Sequence, residues 1–84
     1  MYSIEFTTDA RKVLLRLPRD QQALILSKIE MLACDPFVAP NVKKLVGEPG
    51  YRLRVGSWRV IYDVESGRLV IRIVKIGSRG GVYK

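Results

Sequence analysis

Large apolar residues alternate with others, three of them arginines, through residues 51–55 and again through 58–62, in the run Tyr-Arg-Leu-Arg-Val-Gly-Ser-Trp-Arg-Val-Ile-Tyr. A period of two marks a strand with one buried face. Gly56-Ser57 between the halves suits a two-residue hairpin turn that needs positive φ at its first position. The expected register sets Val55 opposite Trp58, Leu53 opposite Val60 and Tyr51 opposite Tyr62 on one side of the ribbon. Arg54 then stands opposite Arg59 on the other side, with Arg52 beside them. Like charges directly opposite each other weaken a sheet, so three guanidinium groups on one face point to an anion lying there.

The same patterning carries through the rest of the chain. Residues 2–6 alternate as a short first strand, with Tyr2, Ile4 and Phe6 on one side. Thr7, Thr8 and Asp9 offer N-cap chemistry, and Ala10, Val13, Leu14 and Leu17 follow at the spacing of an amphipathic helix, which Pro18 ends. A second helix is expected from about Arg19 or Asp20 to about Ala33, with Leu24 or Ile25, Ile29 and Leu32 as its apolar stripe and its acid near the positive end of the helix dipole. Met31 and Cys34 belong to its core or rim. Residues 35–50, with Pro36, Pro40, Gly47 and Pro49, predict a connecting loop that carries Lys43 and Lys44.

After the hairpin, Glu65-Ser66-Gly67-Arg68 predicts a second turn leading into residues 69–76, a β-branched strand apolar on both sides and therefore central in its sheet. With Ser66-Gly67 at the tip, Tyr62 pairs with Ile71, Ile61 with Arg72 and Val60 with Ile73. One face of this meander then collects Tyr51, Leu53, Val55, Trp58, Val60, Tyr62, Leu69, Ile71 and Ile73, and the other Arg52, Arg54, Arg59 and Arg72. A slip of one residue would bury the arginines at prohibitive cost. The predicted architecture is α+β: an N-terminal strand, two antiparallel helices and a three-stranded antiparallel meander, with the helices packed on one face of the sheet.

Composition narrows what such a fold does. The chain of 84 residues, 48% hydrophobic with only 7 Gly and 4 Pro, is expected to form one globular domain spanning 1–84. A single cysteine allows no intramolecular disulfide, and the lack of histidine rules out Cys/His zinc patterns. The N-terminus has no signal-peptide pattern and no run approaches a membrane span, so a cytoplasmic protein with no membrane partner is expected. The net charge of +7 is unevenly placed. Residues 1–42 carry five basic and five acidic side chains, whereas 43–84 carry ten basic against three acidic. A basic half built around an arginine face suits a polyanion, nucleic acid above all. Lys43 and Lys44 would extend that face, and Arg79 and Tyr83 in the glycine-rich tail, directly after the last strand, could fold back across it.

The residue types limit the chemistry. Histidine acid/base pairs, a carboxylate cluster for a two-metal site, a Gly-rich phosphate loop and a dinucleotide fingerprint are all missing from the sequence, so no metal and no cofactor are expected. Phosphodiester chemistry would rest on arginines stabilising developing phosphorane charge, with a tyrosine or lysine moving protons. It would gain most from a larger machine that holds an RNA so that its own 2′-hydroxyl attacks the adjacent phosphate.

The order strand, two helices, three strands, together with Lys44-Leu-Val-Gly47, the run from Tyr51 to Tyr62 and Val74-Lys-Ile-Gly-Ser-Arg-Gly-Gly-Val-Tyr83, resembles the RelE/ParE toxin superfamily, and its RelE branch in particular. The resemblance covers essentially the whole chain. It implies the toxin of a type II toxin-antitoxin pair, a metal-independent endoribonuclease that enters the ribosomal A site and cleaves mRNA there, leaving a 2′,3′-cyclic phosphate and a 5′-hydroxyl and stopping translation. Its implied partners are the ribosome, mRNA and a cognate antitoxin. By position, Arg59 and Arg79 match arginines that hold the scissile phosphate, and Tyr83 matches a tyrosine that stacks on a base and assists proton transfer. Arg52 and Arg54 fall where RelE has lysines. A guanidinium binds phosphate but does not give up its proton, so the base is left unassigned. The alternatives are a non-enzymatic toxin of the same fold, either a ParE-like gyrase inhibitor or an inactive antitoxin-binding member, and a generic RNA-binding module.

Overall fold

The computed structural model describes residues 1–78, and within them two helices and five strands form one α+β unit. Strand β1 (Ser3–Phe6) leads into α1 (Thr8–Arg16), a two-residue corner at Leu17-Pro18 and α2 (Arg19–Met31). β2 (Val42–Lys44), β3 (Tyr51–Val55), β4 (Trp58–Glu65) and β5 (Val70–Ser78) follow. The strands lie in the order β1-β5-β4-β3-β2, with β1 parallel to β5 and all other neighbours antiparallel. β5 is thus a central strand, as its two apolar sides predict. No helix among the described residues is long and apolar enough to cross a membrane.

The start of α1 follows from its sequence. Thr7 sits at the N-cap with extended backbone, and its hydroxyl accepts the amide N–H of Ala10 at 3.2 Å. Leu17 and Pro18 take extended backbone and turn the chain into α2. The Gln22 side chain ties the two helices by donating to the Leu14 carbonyl at 3.0 Å. α1 lies over β5 and α2 over β3. Ala10, Leu14, Ile25, Ile29 and Leu32 from the helices meet Leu53, Val55, Val60, Tyr62, Ile71, Ile73 and Ile76 from the sheet. Each fully buried aliphatic side chain contributes roughly 1.5–3 kcal/mol, so this one layer is the chief source of stability.

The hairpin has the predicted register throughout: Tyr51 with Tyr62, Leu53 with Val60, Arg54 with Arg59 and Val55 with Trp58. Gly56 has φ +58, while Ser57 is not among the positive-φ residues, the pattern of a type II′ turn. Two contacts fasten the ribbon to the helical half. The Trp58 indole N–H donates to Gln21 Oε1 at 3.1 Å, and the Tyr62 hydroxyl donates to the Pro36 carbonyl at 2.6 Å. Burial, and then the neighbouring Tyr51 and Asp35, push the Tyr62 phenol far above its ordinary pKa.

Three expectations are corrected. The stretch expected to be a loop contains β2, a three-residue edge strand that pairs with β3; it is too short, between Asn41 at φ +66 and the turn at 45–50, to leave an alternation signal. The second turn is longer than expected, with Glu65 paired to Val70 and residues 66–69 in the loop. Leu69 adopts φ +54 and is exposed instead of joining the apolar face. Tyr62 consequently pairs with Ile73, not Ile71; a shift of two residues preserves the side each residue faces, so the division of the sheet survives the change.

The third correction lies further along the same ladder. Tyr62 pairs with Ile73 but Ile61 pairs with Lys75, which leaves Val74 as an extra residue in β5. This is a β-bulge. Thr7 holds it from the adjacent edge: its backbone N–H donates to the Ile73 carbonyl at 3.0 Å and its hydroxyl donates to the Val74 carbonyl at 3.0 Å. Beyond the bulge Val60 pairs with Ile76 where a regular ladder from the predicted turn would have given Ile73.

Candidate functional site

The helices cover one face of the sheet, and the other face is where the cations meet. Cross-strand pairing places Lys43, Arg52, Ile61 and Lys75 in one row across β2, β3, β4 and β5, and Arg54, Arg59 and Gly77 in the next. Neither row contains an acidic residue. In a two-residue hairpin the pair flanking the turn exchanges hydrogen bonds, so the next pair, Arg54 and Arg59, is non-hydrogen-bonded and has the closer side chains, with Cα atoms about 4.5 Å apart. The Arg54 N–H accordingly points away from β4 and donates to the Asn41 carbonyl on the far side, at 3.0 Å. Arg59 retains only 9% of its surface exposed, whereas Arg54 is exposed. A cation in such a half-dry position attracts an anion more strongly than one in open water.

The surface relief follows these side chains. Arg54, Gly56, Ser57 and Arg59 line an open recess of about 290 Å³. A second recess, lined by Asn41, Val42, Lys43, Arg52 and Arg54, shares Arg54 with the first. Through Arg54 the two recesses adjoin, one beside the hairpin turn and one beside β2. Gly77, opposite Arg59, has no side chain to fill the β5 flank.

The far half of this face is different. Glu5, Arg72 and Asp63 form a cross-strand row over β1, β5 and β4. Arg72 binds Asp63 at 3.4 Å and Glu65 at 3.7 Å, and Arg68 binds Glu65 at 3.2 Å and Glu5 at 3.4 Å. Positive charge here is matched locally by Glu5, Asp63 and Glu65.

A family model described as the ParE toxin of the type II toxin-antitoxin system, parDE, matches residues 4–83. The chain belongs to the RelE/ParE superfamily of type II toxin-antitoxin toxins. Solved structures agree with the assignment. This toxin is 32% identical to a chain of the archaeal RelE-RelB complex from Pyrococcus horikoshii OT3, with a TM-score of 0.81 over 95% of this chain and 97% of that one. It is 26% identical to a chain of the toxin-antitoxin complex RelBE2 of Mycobacterium tuberculosis, with a TM-score of 0.81 over 93% of this chain and 98% of that chain. It shares its fold with the intact Escherichia coli RelBE toxin-antitoxin complex, at a TM-score of 0.82 and 23% identity, over 93% and 96% of the two chains. Comparison with curated protein sequences gave no match.

Within the toxin, the candidate residues separate by position. Arg52, Arg54, Arg59 and Lys43 come together on the basic half of the face. Lys44 pairs with Tyr51 and so belongs by alternation to the opposite side, reaching only a rim recess that it shares with Lys43 and Arg52. Arg72 lies on the same face as the arginine pair but within the ion-pair network. Arg79 and Tyr83 lie outside the described residues. Lys75 was not singled out by sequence, because regular alternation from Arg72 sends a residue three positions on to the helix side; the bulge at Val74 returns it to the basic face beside Ile61.

Proposed function

We propose that this toxin is a ribosome-dependent mRNA endoribonuclease that acts in the A site, in the cytoplasm, and is neutralised by a cognate antitoxin covering its basic face. The observation that carries this reading is the pairing of exposed Arg54 with largely buried Arg59 at the closest spacing an antiparallel sheet allows, with Arg52 and Lys43 in the adjoining row. Two like charges held so close are stabilised by an anion between them, and a phosphodiester is the anion whose transition state gains most charge. The ribosome supplies the remaining requirement by holding the mRNA so that a 2′-hydroxyl lies in line with its own phosphate. Similarity to chains of RelE-RelB and RelBE complexes supports the antitoxin partner.

In this mechanism Arg54 and Arg59 neutralise the phosphorane, and Arg52 and Lys43 hold the neighbouring backbone. Arg79 and Tyr83, by the family pattern, complete the site. The test is in vitro translation with wild type, Arg59→Ala, Arg79→Ala and Tyr83→Phe, with new mRNA 5′ ends mapped by primer extension. New ends within ribosome-covered codons, lost in Arg59→Ala, are expected; arrested translation with intact mRNA refutes it. The matching of a ParE family model keeps a gyrase inhibitor as the second reading. It requires an induced DNA-damage response with unbroken mRNA.

A further inference from the structure

We propose that Lys75 is a catalytic residue of this face, the general acid that protonates the departing 5′-oxygen; the inference rests on the endoribonuclease reading above. Arg59 has neighbours on its side of the sheet, among the described residues, on both flanking strands. Arg54 and Gly77 are directly across from it, and Arg52 and Lys75 are diagonal, at about 7–8 Å between Cα atoms. Lys75 is exposed, and Gly77, two residues on and directly across from Arg59, carries no side chain. A phosphate seated on Arg54 and Arg59 therefore has the Lys75 ammonium on its β5 flank. Lys43, the other lysine that the described residues place on this face, stands two strands away from Arg59.

Residue type gives Lys75 a role its neighbours cannot fill. Arg52, Arg54 and Arg59 stay protonated and act as fixed charges, whereas an ammonium can transfer its proton and recover it from solvent. In the step proposed, the 2′-oxygen forms a bond to phosphorus as its proton passes to water, and the bond from phosphorus to the 5′-oxygen breaks. The Lys75 ammonium gives its proton to that oxygen. The products are the cyclic phosphate and a 5′-hydroxyl, and the neutral amine regains a proton from hydronium. The bulge at Val74, held by Thr7, is the device that places this lysine on the reacting side.

The experiment is single-turnover cleavage on programmed ribosomes by wild type, Lys75→Arg and Arg59→Ala. It uses an ordinary mRNA and one whose scissile 5′-oxygen is replaced by sulfur. A thiolate leaves without protonation. Lys75→Arg keeps the charge, so its affinity for programmed ribosomes is expected to stay that of wild type, while cleavage of ordinary mRNA falls about 100-fold, the lower end of general-acid contributions. On the sulfur-bridged mRNA the deficit of Lys75→Arg is expected to vanish and that of Arg59→Ala to persist. Wild-type cleavage of ordinary mRNA by Lys75→Arg, or an equal deficit on both substrates, overturns the inference while leaving the endoribonuclease reading intact. Absence of cleavage by the wild type removes that reading and this inference with it.

Discussion

The hydroxyl of Thr7 donates to the carbonyl of Val74 at 3.0 Å while accepting the N–H of Ala10, so one side chain both starts α1 and pins the bulge in β5. The helix cap and the aim of Lys75 are thereby coupled through a residue remote from the basic face. Thr7→Val removes both hydrogen bonds and is expected to cost about 1–2 kcal/mol, the value of a cap together with a part-buried carbonyl that loses its donor. Thr7→Ser keeps the oxygen and should retain most of that stability. Urea titration of the three proteins decides it; equal midpoints for wild type and Thr7→Val would show that the contact is idle.

The division of the sheet predicts that arginines on one face differ in function. Arg54 and Arg59 face each other across the hairpin beside Arg52 and Lys43, and Arg72 is ion-paired with Asp63 and Glu65. For single-stranded RNA, removing one cation that neutralises a phosphate should reduce the slope of log K against log salt by about 0.7. Arg54→Ala and Arg59→Ala are expected to show that reduction and Arg72→Ala to show almost none. Fluorescence anisotropy across a salt series measures it. A reduction in Arg72→Ala equal to that in Arg59→Ala would mean that RNA opens the ion-pair network and spreads over the whole face.

Why the arginine face was legible while Lys75 was not is a matter of parity. The hairpin from Tyr51 to Tyr62 has strong alternation and a turn whose glycine sets its length, so pairing and faces both follow from local sequence. The loop at 66–69 has no such constraint, yet its two-residue error preserved parity and did no harm to the assignment of Arg72. The bulge inserts one residue and reverses parity. The Thr7 hydroxyl that bonds it, 67 residues away, makes a tertiary contact that no local pattern carries. β2 was hidden for a different reason: three residues at a sheet edge give no period to count.

Gly50 offers a sharper test of the packing beneath the hairpin. Its φ is +110, and a Cβ at this position would lie 2.9 Å from the carbonyl oxygen of Tyr62. The obstacle is backbone of a central strand, which cannot swing aside. Gly50→Ala is expected to destabilise by about 1–3 kcal/mol, the cost of holding a side chain in such a conformation, and more if the hairpin must shift. Gly47→Ala has a positive φ without a neighbouring atom in the way, so it should cost less. Thermal unfolding of the two variants ranks them, and the reverse order would refute the close approach to Tyr62.

The buried phenol of Tyr62 makes stability fall in alkali. Its pKa in the folded protein is raised, first by burial and then by Tyr51 and Asp35, whereas in the unfolded chain it titrates near the ordinary value of about 10. Above that pH the unfolded state has released a proton that the folded state still holds. The native form therefore binds more protons, and stability falls as pH rises. One such group removes about 1.4 kcal/mol per pH unit once the pH exceeds the unfolded value. Below it the contribution is constant. Tyr62→Phe deletes the hydrogen bond to the Pro36 carbonyl and should cost about 1–2 kcal/mol at neutral pH. Because the variant has no phenol to ionise there, the gap between it and wild type should narrow above pH 10 and then reverse. Urea midpoints from pH 7 to 11 follow the gap. Parallel curves would mean that the phenol ionises as readily folded as unfolded, and that its 2.6 Å contact with Pro36 does not hold the proton in place.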